Sequence, residues 1–201
     1  MRIGIFGGTF DPVHLGHLIL AERAREQACL DRVWFVPSAR PPHKRERPIT
    51  LFEHRAEMLQ LALAGQPNFQ VDLIEKDRPG PSFTVDTLGD LNRLHPGNEF
   101  FLILGADCLP DFHTWREPVQ ILAMATLLVA PRPGTDEWTP MHLAQSLCLS
   151  DAGQVRVQPI DMPFIEISSR DLRARAAAGR SLLYMVPRAV EVYIREKHVY
   201  R

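Results

Sequence analysis

Cysteine is scarce in this 201-residue chain: Cys29, Cys108 and Cys148 are all it has. Their spacing matches neither a disulfide framework nor a zinc motif, so they read as reduced thiols. Charge of neither sign is in excess. Lys and Arg total 23 against 24 Asp and Glu, a formal net charge of −1, which supplies no basic field for a nucleic acid. No apolar run approaches the ~20 residues of a membrane span. Arg2 leads straight into a short strand pattern, unlike a signal peptide. Internal repeats and low-complexity segments are lacking too. The expectation is a cytoplasmic protein without a membrane or nucleic-acid partner. The apolar fraction of 45% suffices for a sizeable core, and the length fits a single domain over 1–201.

Two common nucleotide-binding patterns are also missing at the first strand-to-helix turn. A dinucleotide-binding turn needs Gly-x-Gly-x-x-Gly, but the glycines here are Gly4, Gly7 and Gly8. A P-loop ends in Gly-Lys-Ser/Thr, whereas this loop ends in His14-Leu15-Gly16-His17.

What is there is a Gly-rich loop, Gly7-Gly8-Thr9-Phe10-Asp11-Pro12-Val13, between an apolar strand pattern at Ile3–Phe6 and a helix-like stretch at Leu18–Ala28. Unpaired backbone N–H groups at such a place suit phosphate. His14 and His17 are spaced to share one face of the helix entrance. Taken alone, they read equally well as ordinary helix-start histidines.

Strand and helix patterns then alternate. Val33–Val36 is a second apolar run, followed by a Pro-rich basic loop from Pro37 to Pro48. Thr50 and Glu53 predict a capping box for a helix running on Phe52, Ala56, Leu59 and Leu63 to a stop at Gly65. Phe69–Ile74 alternates like a strand, and Thr84–Leu94 carries a helical apolar stripe. Phe100–Leu104 and Thr126–Ala130 are continuous and apolar, as strands buried on both faces are. The stretch from 138 to 158 has no clear period. A helical region begins at Ser168, pauses near Gly179 and resumes from Pro187 to His198. The pattern predicts an α/β fold, a doubly wound and mostly parallel sheet with a C-terminal helical region at about 168–201.

Ligands of such sheets bind beyond the carboxyl ends of the strands. Several candidates fall there. Ser168 or Ser169 can cap a helix that has Arg173 about one turn on, a set suited to an anion; an ordinary capped helix with an exposed arginine reads as well. His43 and Lys44 sit on the Pro-stiffened loop, which also reads as a solvated basic loop. Gly105 and Asp107 end a buried strand and suit a ribose or a base edge, or else a helix cap. Trp115 offers a flat face to an aromatic ring, or covers the core.

In order along essentially the whole chain, these pieces resemble the bacterial nicotinate-mononucleotide adenylyltransferases. The likeness rests on Gly-Gly-Thr-Phe-Asp-Pro-Val-His-x-Gly-His, Pro-Pro-His-Lys, Ser82-Phe83-Thr84, Gly-x-Asp, Thr-Trp and Ile-Ser-Ser. The first and last mark the nucleotidyltransferase superfamily, with its Rossmann-like fold. Arg170 stands where the superfamily pattern Ile-Ser-Ser-Thr-x-x-Arg has threonine. The resemblance implies transfer of adenylate from ATP to nicotinate mononucleotide, giving nicotinate adenine dinucleotide and pyrophosphate, a late step of NAD synthesis.

It implies the roles as well. His14, His17 and Lys44 are the catalytic set, with His17 closest to the reacting centre. Gly7, Gly8, Thr9 and Phe10 line the ATP site with His17. Gly105 and Asp107 hold its ribose, and Ser168, Ser169 and Arg173 its outer phosphates. Gly8, Thr9, His43, Lys44, Thr84, Trp115 and Arg116 take the mononucleotide, Trp115 by stacking. Mg2+ arrives with ATP and not on a permanent protein site. A sister enzyme acting on phosphopantetheine or transferring cytidylyl, and a non-catalytic nucleotide sensor on the same fold, are the rival readings. Monomer and homodimer stay equally open.

Overall fold

Two apolar faces on one sheet organise the chain. The computed structural model describes residues 1–41, 49–132 and 139–200. Its strands are β1 (Arg2–Gly8), β2 (Arg32–Pro37), β3 (Phe69–Val71), β4 (Glu99–Gly105), β5 (Ala125–Ala130) and β6 (Val157–Pro159). They form one six-stranded sheet in the order β3-β2-β1-β4-β5-β6, with every neighbouring pair parallel. Successive side chains alternate between faces. Phe6, Val33, Phe35, Phe101, Ile103 and Leu128 enter one core. Ile3, Ile5, Trp34, Val36, Leu102 and Leu127 enter the other.

Helices cover both faces. The first core receives α1 (Leu15–Gln27), α2 (Phe52–Leu63), α6 (Ser169–Ala177) and α7 (Arg188–Glu196). The second receives α3 (Thr84–Leu94), α4 (Pro118–Met124) and α5 (Pro140–Ser146). The expected doubly wound α/β architecture is the one found, and its sheet is wholly parallel. No helix of the described residues is long and apolar enough to cross a membrane.

The details depart from the sequence pattern where tertiary contacts intervene. The first helix begins at Leu15, before the apolar stripe, because the Leu15 N–H donates to the Met185 carbonyl at 2.9 Å. The expected capping box at Thr50 does not form; Leu51 occupies the cap position, without a side-chain bond. Thr50 is instead drawn downward, its N–H donating to Asp11 Oδ2 at 3.4 Å and its carbonyl accepting from Arg55 Nε at 2.9 Å. The third strand stops at Val71, and Asp72 Oδ1 accepts the Ile74 N–H at 2.9 Å in a turn that ends the alternation. The illegible stretch holds α5 and the short edge strand β6, and α4 also goes unforeseen. Gly65 and Gly179 stop their helices with φ of +83° and +68°, a conformation that favours glycine.

The strand order reverses between β1 and β4, and this switch point is where such sheets open a crevice. Gly7 and Gly8 end β1 there and Gly105 ends β4. The first core carries the late helices to the same place, since Phe10 and Val13 of the loop pack in one cluster with Leu172, Val190 and Val199. Leu172 is fully buried. Leu172→Ala is expected to lower stability by about 2–5 kcal/mol in urea unfolding followed by circular dichroism. A loss under about 1 kcal/mol would show that α6 is not anchored through this residue.

Candidate active site

A cavity of about 390 Å³ lies at the switch point, within the range of small-ligand sites. Gly7, Gly8, Thr9, Thr84, Trp115 and Arg116 line it, as does Gly105. Residues expected to meet the mononucleotide thus share one wall with the Gly-rich loop. Thr84 opens α3, whose cap residue Phe83 supplies no side-chain bond; the first-turn N–H groups of a helix have no partner within it. The Trp115 ring rests on Phe112, centroids 5.0 Å apart. The Arg116 guanidinium lies over the Phe83 ring at 5.0 Å and reaches Asp86 Oδ2 at 3.3 Å, clasping the mouth of the cavity to α3. His43 and Lys44 lie outside the described residues.

The histidine pair stands at the entrance of α1. His14 is the cap residue in extended conformation, and its backbone N–H donates to His17 Nδ1 at 3.2 Å. Nδ1 is therefore an acceptor, and in the neutral ring the proton of His17 sits on Nε2. The two imidazoles stack with centroids 3.6 Å apart and planes at 24°. Gly16 makes this possible: a Cβ there would lie 3.1 Å from His14 Nδ1 and 3.2 Å from its Cε1. A side chain at position 16 would press on the His14 ring, so the spacing His-x-Gly-His suits the stacked pair.

His14 is buried, and its Nδ1 has no hydrogen-bond partner among the described residues. Burial, aided by the positive charge of Arg132, lowers its pKa to about 4. At neutral pH it is uncharged.

The late segment closes on the same loop. Ser168 caps α6, its Oγ accepting from the Asp171 N–H at 3.1 Å. Ser169 Oγ donates to the Pro12 carbonyl at 2.9 Å, and Arg173 Nη1 to the Asp11 carbonyl at 2.7 Å. Asp107, at the end of β4, pairs with Arg132 Nε at 3.5 Å. It lies inside a 3-10 turn and is not its cap, which is Gly105. Phe10 turns its ring into the core, edge-on to His17 at 5.1 Å. What residue 10 leaves for a ligand is its backbone.

Beneath the loop lies a group that the sequence reading missed. Asp11 is buried, and its Oδ1 accepts from Tyr200 OH at 2.8 Å. Arg55, 1% exposed, donates to the carbonyls of Thr9 (2.8 Å) and Thr50 (2.9 Å). Burial pulls the Arg55 pKa down, and Asp11 opposes that pull. Arg55 had a visible signal: it falls on the buried stripe of α2, one turn before Leu59. Tyr200 had none. Arg132 and the cavity residues Glu75 and Cys108 were likewise missed. Burial pushes the Cys108 thiol up to about 11, with Asp107 adding to the effect, so it is no nucleophile at neutral pH.

Known proteins align with this arrangement. Residues 5–175 match the family model described as cytidylyltransferase-like. A protein of Thermus thermophilus, named as a probable nicotinate-nucleotide adenylyltransferase, is 49% identical over 201 residues, all of both chains. One of the same name from Thermomicrobium roseum is 46% identical over 200 residues, covering 100% of this chain and 92% of that one. The solved Plasmodium falciparum nicotinic acid mononucleotide adenylyltransferase, complexed with NaAD, superposes with a TM-score of 0.80. It covers 99% of this chain and 97% of its own, at 18% identity, so the likeness is one of fold.

The neutral His14 carries a pH dependence. Below pH 6.5 the unfolded chain takes up a proton that the folded chain refuses until about pH 4. Stability is therefore complete above pH 6.5 and falls as the pH drops through that window, by on the order of 3 kcal/mol. Urea unfolding between pH 4 and 7 should show this slope, and His14→Gln should flatten it. An equal slope in both proteins would assign it elsewhere.

Proposed function

The chain belongs to the cytidylyltransferase-like family and, within it, to the nicotinate-nucleotide adenylyltransferases, and from that premise we propose how its residues carry the reaction. ATP and nicotinate mononucleotide become nicotinate adenine dinucleotide and pyrophosphate, a step of NAD synthesis. An oxygen of the mononucleotide phosphate attacks the α-phosphorus of ATP. The new O–Pα bond forms as the bond from Pα to the bridging oxygen breaks, and that electron pair leaves with pyrophosphate.

The nucleophile is already an anion, so no general base and no covalent enzyme intermediate is needed. The protein's work is in-line placement and neutralisation of spreading charge. The observation that carries this reading is the histidine pair. His17, with Nδ1 engaged by the His14 N–H, is left with the Nε2–H as its donor. We assign it to the α-phosphate, with His14 beside it. Arg173 uses one nitrogen on the Asp11 carbonyl and keeps other N–H groups of its five for the β- and γ-phosphates. Ser168 and Ser169 flank it.

The cavity takes the acceptor. Trp115 stacks on the pyridine ring, and the open N–H groups at the start of α3, near Thr84, meet its carboxylate. The backbone at Arg116 adds to this contact. Gly105 has no side chain to crowd the ribose, whose hydroxyls Asp107 accepts. The assignment of Lys44 and His43 to the acceptor phosphate stands on sequence resemblance alone. Among the described residues no group of three His, Cys, Asp or Glu side chains is placed to hold a metal ion. A Mg2+ ion carried in by the triphosphate would offset part of its charge, with Arg173 and the histidines supplying the rest of the donors.

The test is pyrophosphate release with ATP against three acceptors: nicotinate mononucleotide, nicotinamide mononucleotide and phosphopantetheine. Nicotinate mononucleotide is expected to have the highest kcat/KM. Equal or faster turnover of phosphopantetheine would overturn the acceptor assignment. His17→Ala is expected to lower kcat by about 10²–10³, the usual loss for one preorganised donor, with an unchanged circular dichroism spectrum. A kcat near that of the wild type would return His17 to a packing role.

A further inference from the structure

The C-terminal segment reaches back to the phosphate loop across 189 positions of sequence, and nothing in the reaction as described uses it. Tyr200 OH donates to Asp11 Oδ1 at 2.8 Å, and the N–H of Thr50 donates to Oδ2 at 3.4 Å. The neighbouring Val199 is buried in the same core cluster as Phe10 and Val13 of the loop, and Tyr200 itself packs against that cluster. The contact has consequences because of what else the loop holds. The carbonyls of Thr9, Asp11 and Pro12 accept from Arg55, Arg173 and Ser169, at 2.8, 2.7 and 2.9 Å. Two of those donors belong to the proposed ATP site. Arg173 Nη1 also stands 3.9 Å from Asp11 Oδ2, so the carboxylate that Tyr200 holds faces the guanidinium itself.

We propose that Tyr200 is a positioning residue for the ATP side of the site, acting through Asp11 to fix the loop carbonyls that aim Arg173 and Ser169. The proposal rests on the reading of that loop and Arg173 as the ATP-phosphate site. Burial and the adjacent Asp11 carboxylate both raise the Tyr200 pKa, so the phenol remains a hydrogen-bond donor throughout the working pH range. Removing the hydroxyl leaves Asp11 Oδ1 without this donor inside the protein. The carboxylate then turns to find another, and the loop follows.

The experiment compares Tyr200→Phe, Asp11→Ala and the double variant in steady-state kinetics of the intact enzyme. Arg173→Ala serves as the reference for the ATP site. Tyr200→Phe keeps the ring and its packing, so it should fold with a nearly unchanged Tm. Its KM for Mg-ATP should rise about three- to tenfold, as for the loss of one hydrogen bond, while KM for nicotinate mononucleotide stays within about twofold. The double variant should be no worse than Asp11→Ala alone, because both changes remove the same hydrogen bond. A merely structural role would lower Tm and the active fraction, and hence kcat, at unchanged KM for both substrates; that result overturns the proposal. So does a parallel rise in both KM values, or a double variant whose losses multiply. If Arg173→Ala raises KM for Mg-ATP and Tyr200→Phe does not, the ATP-site reading stands and the role of Tyr200 fails. If Arg173→Ala leaves it unchanged, the ATP-site reading itself fails, and the proposal with it.

Discussion

Everything at the proposed reaction centre hangs on one short piece of backbone, Thr9 to Pro12, whose carbonyls are held from behind. Arg55 rises from α2, and Ser169 and Arg173 come from α6. A buried arginine and a buried aspartate are costly to desolvate, and they are tolerable because each is satisfied by several partners. Asp11 accepts from Tyr200 and Thr50, and Arg55 donates to two carbonyls. With its carbonyls anchored and its ring residue Phe10 sunk in the core, the loop has little freedom left. Its remaining polar groups can serve a ligand without first being ordered, which is the requirement for electrostatic preorganisation.

The sheet explains why this loop and the proposed acceptor cavity adjoin. The two faces of β1 feed different cores, and the strand order turns at its carboxyl end. The helices of the first core bring Arg55 and Arg173 to one side of the loop. The second core brings α3 and the segment around Trp115 to the other. Glycines at Gly7, Gly8 and Gly105 leave the crevice open between them. Neither layer alone makes the site, and the proposed reaction sets one substrate against each.

Much of this was legible because it is local. The continuous apolar runs at Phe100–Leu104 and Thr126–Ala130 read as buried strands and are strands, and α3 falls on the span that its stripe predicts. The His-x-Gly-His loop stood out through its likeness to a family motif, since its two histidines alone read equally well as ordinary helix-start residues. What stayed hidden is long-range. Thr50 looks like a helix cap until Asp11 and Arg55 claim its backbone. β6 is three residues long, too short to show a period, and it forms because β5 offers it an edge. Tyr200 is a penultimate tyrosine with no pattern around it, and only the fold brings it to Asp11. The cavity residue Glu75 is similar: its carboxylate takes the Thr87 hydroxyl at 2.6 Å, a pairing that no spacing rule suggests.

The central claim is that the protein positions two phosphates for a single displacement and lends no nucleophile of its own. The most direct measurement is the stereochemical course at the α-phosphorus. The enzyme is given one diastereomer of adenosine 5′-(1-thiotriphosphate) with nicotinate mononucleotide, and the configuration of the thio-dinucleotide product is determined by 31P NMR. A single in-line attack inverts the phosphorus centre, and inversion is the result this account predicts. Retention would require two displacements through a covalent adenylyl-enzyme, and would contradict it.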